Sequence, residues 1–399
     1  MIEFGTCDPE VTDAQCAAYE QQVAEITRLP LREIPAGADK FVRRPRQGAG
    51  MSVIEVQRAL KALGFFPGGR EDGICGYRTH SAIRLFQEYV RSIEKLNCTP
   101  DGQFGPISET HLRRWVDNRL QPYWAPTVTQ WRAGTLAASE YTEWLALLEQ
   151  VKARYLATPT RMLQLVNAFG RSDTRHVADW DFTSVGTPQL IGIRRQQASG
   201  KFDDIFVMLL KGLVFKFQGS TEPGASDDPR GTPFLVQGQH DYHFGWHKRT
   251  YLALRPRGAG VLVVRSKSDR QLDEGDLANG VDVNATINVH WGGMGQSRDV
   301  KSWSEGCQVI NGAKYINARG DLVDCSAFAA VTPSDATNAA LHKTRGAYSV
   351  LLDLVTALAS DLTGSEVRYM LLVEDDLKLA PSLAQRLDEA RARLVILEA

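Results

Sequence analysis

The chain has 399 residues, with 46 Lys and Arg against 47 Asp and Glu, a formal charge of −1, and 43% hydrophobic residues. That length holds about two to four domains with ample chain for a core. The balanced charge supplies no basic footprint for nucleic acid and no polybasic surface for a membrane. No apolar run reaches the about 20 residues of a membrane span. The best, Ile205–Phe217, is interrupted by Lys211 and Lys216. Neither a nucleic-acid partner nor an integral membrane segment is expected.

The opening Met1-Ile2-Glu3-Phe4-Gly5 puts an acid where a signal peptide carries positive charge, and no apolar stretch follows. Residues 1–50 then read as an N-terminal arm or linker. A short helix is expected over Asp13–Arg28, followed by Pro30, Pro35, Gly37 and the unpaired charges Arg43, Arg44 and Arg46. The six cysteines, Cys7, Cys16, Cys75, Cys98, Cys307 and Cys325, form no C-x-x-C pair and no zinc-ribbon spacing. Cys7 with Cys16, and Cys75 with Cys98, are close enough in sequence to pair in an oxidising space. Reduced structural thiols are otherwise the expectation.

Residues 51–118 read as a small helical domain. Ser52-Val53-Ile54-Glu55 fits a capping box, Val53, Val56, Leu60 and Leu63 share one helical face, and Gly64 ends the helix. A second helix over Thr79–Val90 gathers Ala82, Ile83, Phe86 and Val90. Asp72-Gly73-Ile74-Cys75-Gly76 before it returns as Asp101-Gly102-Gln103-Phe104-Gly105, so a glycine-dependent turn feeds a helix twice. The run Val56-Gln57…Leu60…Leu63-Gly64-Phe65…Asp72-Gly73…Thr79…Ala82…Phe86-Gln87 resembles the peptidoglycan-binding domain type 1 family. That resemblance covers about residues 52–116 and implies a three-helix module whose partner is peptidoglycan, both stem peptides and sacculus. The alternative is a three-helix unit used only as a spacer. Cys75 stands where the family usually has Phe.

Residues 119–180 read as a helical connector. Tyr141, Trp144, Leu145, Leu148, Val151 and Tyr155 make a stripe at helical spacing. A second helix starts at Thr158-Pro159 and carries Met162, Leu163, Val166 and Phe169. From 181 to 399 the texture becomes α+β with a β-rich heart. Strands are expected at Val261–Val264, Ala285–His290 and Val367–Val373, and helices at Ala339–Ala359 and Ser382–Leu394.

The sharpest constellation lies in that half. His290 ends a strand, Trp291 and a glycine-rich loop from Gly292 follow, and Ser304-Glu305-Gly306-Cys307 comes after thirteen intervening residues. A cysteine attacks as thiolate, which a nearby imidazole can generate and hold. Glycine before the sulfur lets a reacting carbonyl approach backbone N–H donors. The pattern His…Ser-x-Gly-Cys resembles the signature of the L,D-transpeptidase (YkuD-type) family. Gly219–Gly224, Gly238-Gln239, Tyr242, Gly245–Lys248 and Val264-Arg265 agree with a divergent branch of it, over about residues 205–315.

The resemblance implies a β-sandwich-like domain in which Cys307 is nucleophile and His290 base. It gives Trp291 the role of orienting the imidazole through its carbonyl, and makes Ser304, Glu305 and Gly306 the oxyanion loop. Tyr242, His247 and Gly292 join Glu305 as substrate-facing residues. The implied reaction is attack on the L-centre carbonyl of a stem tetrapeptide, loss of D-alanine, and resolution of a thioester by an amine or water. Two positions depart from the family: Glu305 for the commoner His or Lys, and Val309 where many members carry Arg or Asn.

His240, His243 and His247 invite a metal reading. Strand alternation, however, sends His240 to the face opposite His243 and His247, and no third ligand follows in the pattern. No metal and no organic cofactor is expected. Asp227-Asp228 and Glu374-Asp375-Asp376 read as solvated turns, and Gly292-Gly293-Met294-Gly295 lacks the Lys-Ser/Thr of a phosphate loop. The expectation is a peptidoglycan-modifying cysteine enzyme, a transpeptidase or carboxypeptidase. One alternative is a lytic effector or phage-type endopeptidase, and another a wall-binding scaffold with a decayed site. With no recognisable signal peptide, action in the periplasm or wall implies specialised export or lysis. Secretion machinery and an immunity protein are then further expected partners.

Overall fold

The computed structural model describes residues 1–29, 33–35, 40–184, 186–195, 200–224, 226, 228–267, 272–294, 299–300, 303–337, 341–359 and 366–394. Its strands are β1 (Thr6–Cys7), β2 (Arg44–Pro45), β3 (Gln189–Arg194), β4 (Asp204–Leu210), β5 (Leu213–Ser220), β6 (Thr232–Leu235) and β7 (Gly238–His247). They continue with β8 (Tyr251–Pro256), β9 (Val261–Ser266), β10 (Asp282–Asn284), β11 (Val289–Trp291), β12 (Gln308–Ile316), β13 (Leu322–Asp324) and β14 (Glu366–Val373). The chain divides into two units. One takes Met1–Pro126, Phe244–Leu252 and Ala327–Ser365; the other takes Thr127–His243, Ala253–Ser326 and Glu366–Ala399.

In the first unit, helices Val53–Ala62, Tyr77–Ser92 and Pro106–Asp117 pack around Phe65, whose ring meets Phe86, Tyr89, Trp115 and Trp124 edge-on at 5.3–5.5 Å. One buried glutamine holds each turn of the repeat. Gln57 Nε2 donates to Asp72 Oδ1, the Ile74 carbonyl and Thr79 Oγ1, while its Oε1 accepts from Gly73 N. Gln87 does the same for Asp101, Gln103 O and Ser108 Oγ, and accepts from Gly102 N. Gly73 and Gly102 have φ of 71° and 80°, the left-handed conformation that glycine adopts without penalty.

The described residues among 1–50 do not form a free linker. β1 pairs with β2, Ile2 bridges Phe104, and Cys7 bridges Ile74. The Asp8 carboxylate accepts from Val53 N and Ile54 N at 2.9 Å, so a residue of the supposed arm caps the first helix of the module. Cys7, Val11, Cys16, Val23 and Phe41 form a core with Ile74. The helix expected over Asp13–Arg28 is present as Asp13–Thr27, whereas Pro30 and Gly37 lie outside the described residues. Helix Tyr77–Ser92 is then covered from far along the chain. Arg84 pairs with buried Asp353 at 2.6 Å, and Arg78 Nε donates to Thr356 O. Burial pushes the Asp353 carboxyl up to about 6, with the Arg84 charge opposing it. The expected helix Ala339–Ala359 is seen as Ala347–Asp353 with a π-helical continuation, Leu354–Ala359; residues 339 and 340 lie outside the described residues.

The second unit is built on a closed sheet. Strand order runs β11-β8-β7-β14-β3-β4-β5-β12, and a parallel β11–β12 pairing joins the ends into an eight-stranded barrel with β13 added beside β12. The sandwich implied by the resemblance is corrected here, because that one pairing removes the open edges a sandwich would keep. A separate sheet, β10-β9-β6, packs Leu262 and Val264 of β9 with Val166 and Val236. Helices Glu140–Ala157, Arg161–Ala168 and Pro381–Leu394 pack on the barrel through Trp144, Leu148, Val151, Tyr155, Leu163, Leu383 and Leu387, which share a core with residues of β3, β4, β5, β12 and β14. Of residues 119–180, read as a connector, 119–126 belong to the first unit and 127–180 to the second, where Trp144, Leu148, Val151, Tyr155 and Leu163 join the core.

Candidate functional site

The barrel's closing seam carries the His–Cys constellation. Val289 on β11 pairs with Gln308 on β12 and, across its other edge, with Leu254 on β8. Continued by one residue, that register sets Asn288 between Arg255 and Cys307; Gln308 N donates to Asn288 O at 2.8 Å. Directly paired residues share a face of the sheet, and so do residues two apart on one strand. Arg255, Asn288 and Cys307 thus form one row, and Ala253, His290 and Val309 form the next row on the same face. Gly292 lies on that face too: a Cβ there would lie 3.1 Å from Val309 Cβ.

Cys307 is half-buried, and the other five cysteines are buried. Its Sγ accepts from Asn288 N at 3.3 Å and donates to Thr286 O at 3.4 Å. His290 is buried, with Nδ1 2.8 Å from the Trp291 carbonyl. A carbonyl only accepts, so Nδ1 carries the proton and, in the neutral ring, Nε2 carries the lone pair. Trp291 is itself fixed edge-on against Trp303 at 5.3 Å. Ser304 Oγ donates to Cys307 O at 2.6 Å and accepts from Gly306 N at 3.1 Å, which folds the turn that presents the sulfur. Gly306 has φ of 151°, and a Cβ there would strike Pro233 at 2.7 Å, so this turn admits only glycine.

Behind the turn lies a buried polar brace. Tyr369 OH donates to Gln308 Oε1, and Gln308 Nε2 reaches the carbonyls of Thr221 and Gly306. Gly224 N donates to Ser304 O, and Asp204 accepts from both Thr221 N and Oγ1 at 2.7 Å. Burial raises the Asp204 carboxyl to about 6 and the neighbouring Glu222 to about 8, against the charge of Arg194 in the latter case. Glu222 Oε2 accepts from Gly200 N.

The other site residues expected from sequence fall in different places. Tyr242 is fully buried and donates to Ile287 O at 3.0 Å, next to Asn288 in the chain. His247 belongs to the first unit, where its ring packs on Tyr251 at 5.2 Å. Glu305 is exposed at the turn. Gly292 is buried, with Phe202 leaving no room for a side chain. Val309 packs with Phe202, Val300 and Trp303, which explains an apolar residue at that position. His240 is buried between Thr174 Oγ1 and Val236 O, and desolvation lowers its pKa to about 3. Among the described residues no three His, Cys, Asp or Glu side chains gather as a metal site. Asp227 lies outside the described residues; Asp228 accepts from Arg230 and Arg265.

Arg255 is the residue that sequence reasoning missed. It is half-exposed, and its Nη2 donates to Ala285 O. The loop 285–288 therefore holds a guanidinium at one end and the Cys307 sulfur at the other.

A cavity of about 360 Å³ in the first unit is lined by Arg91, Cys98, Phe328, His342 and Lys343. Its cations are committed within the unit. Arg91 pairs with Glu88 and lies over Phe328, Lys343 Nζ donates to Ala327 O, and His342 meets Gln103 and Asp101. It is a joint between helix Tyr77–Ser92 and the 327–343 segment.

Residues 49–91 match the family described as "Putative peptidoglycan binding domain". No curated protein and no solved structure matches the chain. No described helix is long and apolar enough to cross a membrane. The chain carries a peptidoglycan-binding domain, which points to a function associated with the cell wall.

Proposed function

We propose that the chain is a peptidoglycan-active cysteine enzyme of the L,D-transpeptidase or L,D-carboxypeptidase type, with Cys307 as nucleophile and His290 as base. The observation that carries this is the seam register: the half-buried thiol and an imidazole with its Nδ1 on a carbonyl share one sheet face, one row apart. A wall-binding domain on the same chain supports the substrate class.

His290 Nε2 takes the thiol proton, and the Asn288 N–H steadies the thiolate. Sulfur adds to the L-centre carbonyl of a stem tetrapeptide, and the turn held by Ser304 faces the developing oxyanion. The C–N bond breaks, His290 protonates the departing D-alanine amine, and an acyl thioester remains. A second amine then gives a cross-link, or water gives a tripeptide, and Cys307 is regenerated.

Muropeptide profiling of sacculi treated with the wild type and with Cys307→Ala is the test. The expected result is new cross-links or tripeptides with the wild type and an unchanged profile with the variant. Identical profiles from the two would overturn the nucleophile. Loss of existing cross-links would move the activity to endopeptidase, the reaction of a lytic effector.

A further inference from the structure

The seam holds a cation as well as a thiol and an imidazole. Arg255 stands in the same cross-strand row as Cys307, with only Asn288 between them. Two strand spacings of about 4.8 Å separate their α-carbons by about 10 Å, which an arginine side chain largely spans. The side chain leans toward the site, because Nη2 donates to Ala285 O while the next residue, Thr286, accepts from Cys307 Sγ. It also stays accessible, being half-exposed. Burial lowers its pKa and the charge of a Cys307 thiolate raises it, so the two groups lie within electrostatic reach. The apolar cluster of Phe202, Val300 and Val309 lies on β12 and its neighbouring segments, leaving β8 as the side that offers charge.

We infer that Arg255 is the specificity residue that grips the free carboxylate of the acyl donor next to the bond being broken. On the proposed reading, that group is the α-carboxylate of the leaving D-alanine. It lies only two atoms beyond the scissile nitrogen, so a donor acylating Cys307 and directed toward β8 brings it to the guanidinium. Arginine suits the task because its planar fork matches a carboxylate with two parallel hydrogen bonds. The same charge lowers the cost of a thiolate in the next strand but one.

This assignment rests on the proposed thiol chemistry, so the experiment separates the two. A disaccharide tetrapeptide ending in D-alanine is compared with its C-terminal amide, which lacks the carboxylate charge. Each is assayed with the wild type, Arg255→Gln and Arg255→Lys, and folding is checked by thermal melting. The wild type is expected to prefer the acid about 100-fold in kcat/KM. Arg255→Gln should lose that factor on the acid and treat both donors alike within about threefold. Arg255→Lys should restore part of the preference, since a point charge replaces the fork. Should Arg255→Gln keep the wild-type ratio of acid to amide, the role of Arg255 falls while Cys307 stands. Should the wild type turn over neither donor in a Cys307-dependent way, both fall together.

Discussion

Two regions of the molecule hold thiols in opposite ways. In the first unit Cys7, Cys16 and Cys75 lie together under the N-terminal segment, with Cys7 and Cys16 sulfurs 3.8 Å apart. Desolvation, then the neighbouring Cys16, pushes Cys7 up to about 12, and burial raises Cys75 further. In the second unit Cys307 is half-buried and receives a backbone N–H. The lesson is that a glycine next to a cysteine does not distinguish them, since Cys307 follows Gly306 and Cys75 precedes Gly76. Access and the donors aimed at sulfur do. The proposed pairing of Cys75 with Cys98 has no support in this arrangement, because Cys75 has Cys7 beside it while Cys98 lies with Ser108.

The sharpest way to break this contrast is to alkylate the native protein with iodoacetamide near neutral pH. Cys307 should react about 10⁴-fold faster than the buried five, which must wait for an opening of the fold. Peptide mapping showing Cys7 or Cys75 labelled as fast would erase the distinction. His290→Gln probes the imidazole's share: turnover should fall about 10³-fold and Cys307 alkylation at pH 7 should slow. An unchanged alkylation rate would mean that His290 does not serve the sulfur.

A smaller effect comes from Arg84→Ala, which strips the partner from buried Asp353. A loss of about 3 kcal/mol should speed labelling of Cys7, Cys16 and Cys75 about 100-fold and leave the Cys307 rate alone. Equal acceleration at Cys307 would show that the two thiol regions open as one.

The smallest expected change concerns Glu222. Its folded pKa of about 8 stands above its ordinary 4.5, so the folded chain takes up a proton that the unfolded chain releases. Stability should rise as pH falls from about 9 to 6.5, and Glu222→Gln should flatten that part of the melting-temperature profile. A profile with the same slope in the variant would move the titration elsewhere.

Local features were legible because they are written in neighbouring residues. The Ser52–Glu55 capping box forms as read, and the two Asp-Gly turns recur because Gln57 and Gln87 meet equivalent partners. The His290 and Cys307 motif could be seen for the same reason, with glycine and serine at fixed offsets. What escaped was written across distance. β1 and β2 have two residues each, too short for any periodicity, and the Asp8 cap reaches 45 residues ahead to Val53. β11 has only three residues, so nothing in its pattern announced the pairing that closes the barrel. Arg255 was invisible because its nearness to Cys307 is a matter of strand register. The burial of Tyr242 was equally unreadable, because a motif position says nothing of which face of a strand is packed.

The first unit is assembled from three separate stretches of chain, and this bears on how the protein comes into being. Arg84 emerges from the ribosome 269 residues before Asp353. At about 5–20 residues per second that is roughly 13–54 s during which helix Tyr77–Ser92 has no lid. The first unit is thus finished only once Asp353 has been made. A product terminated before Asp353 would lack that lid, so the finished first unit is reserved for chains that already contain the complete seam.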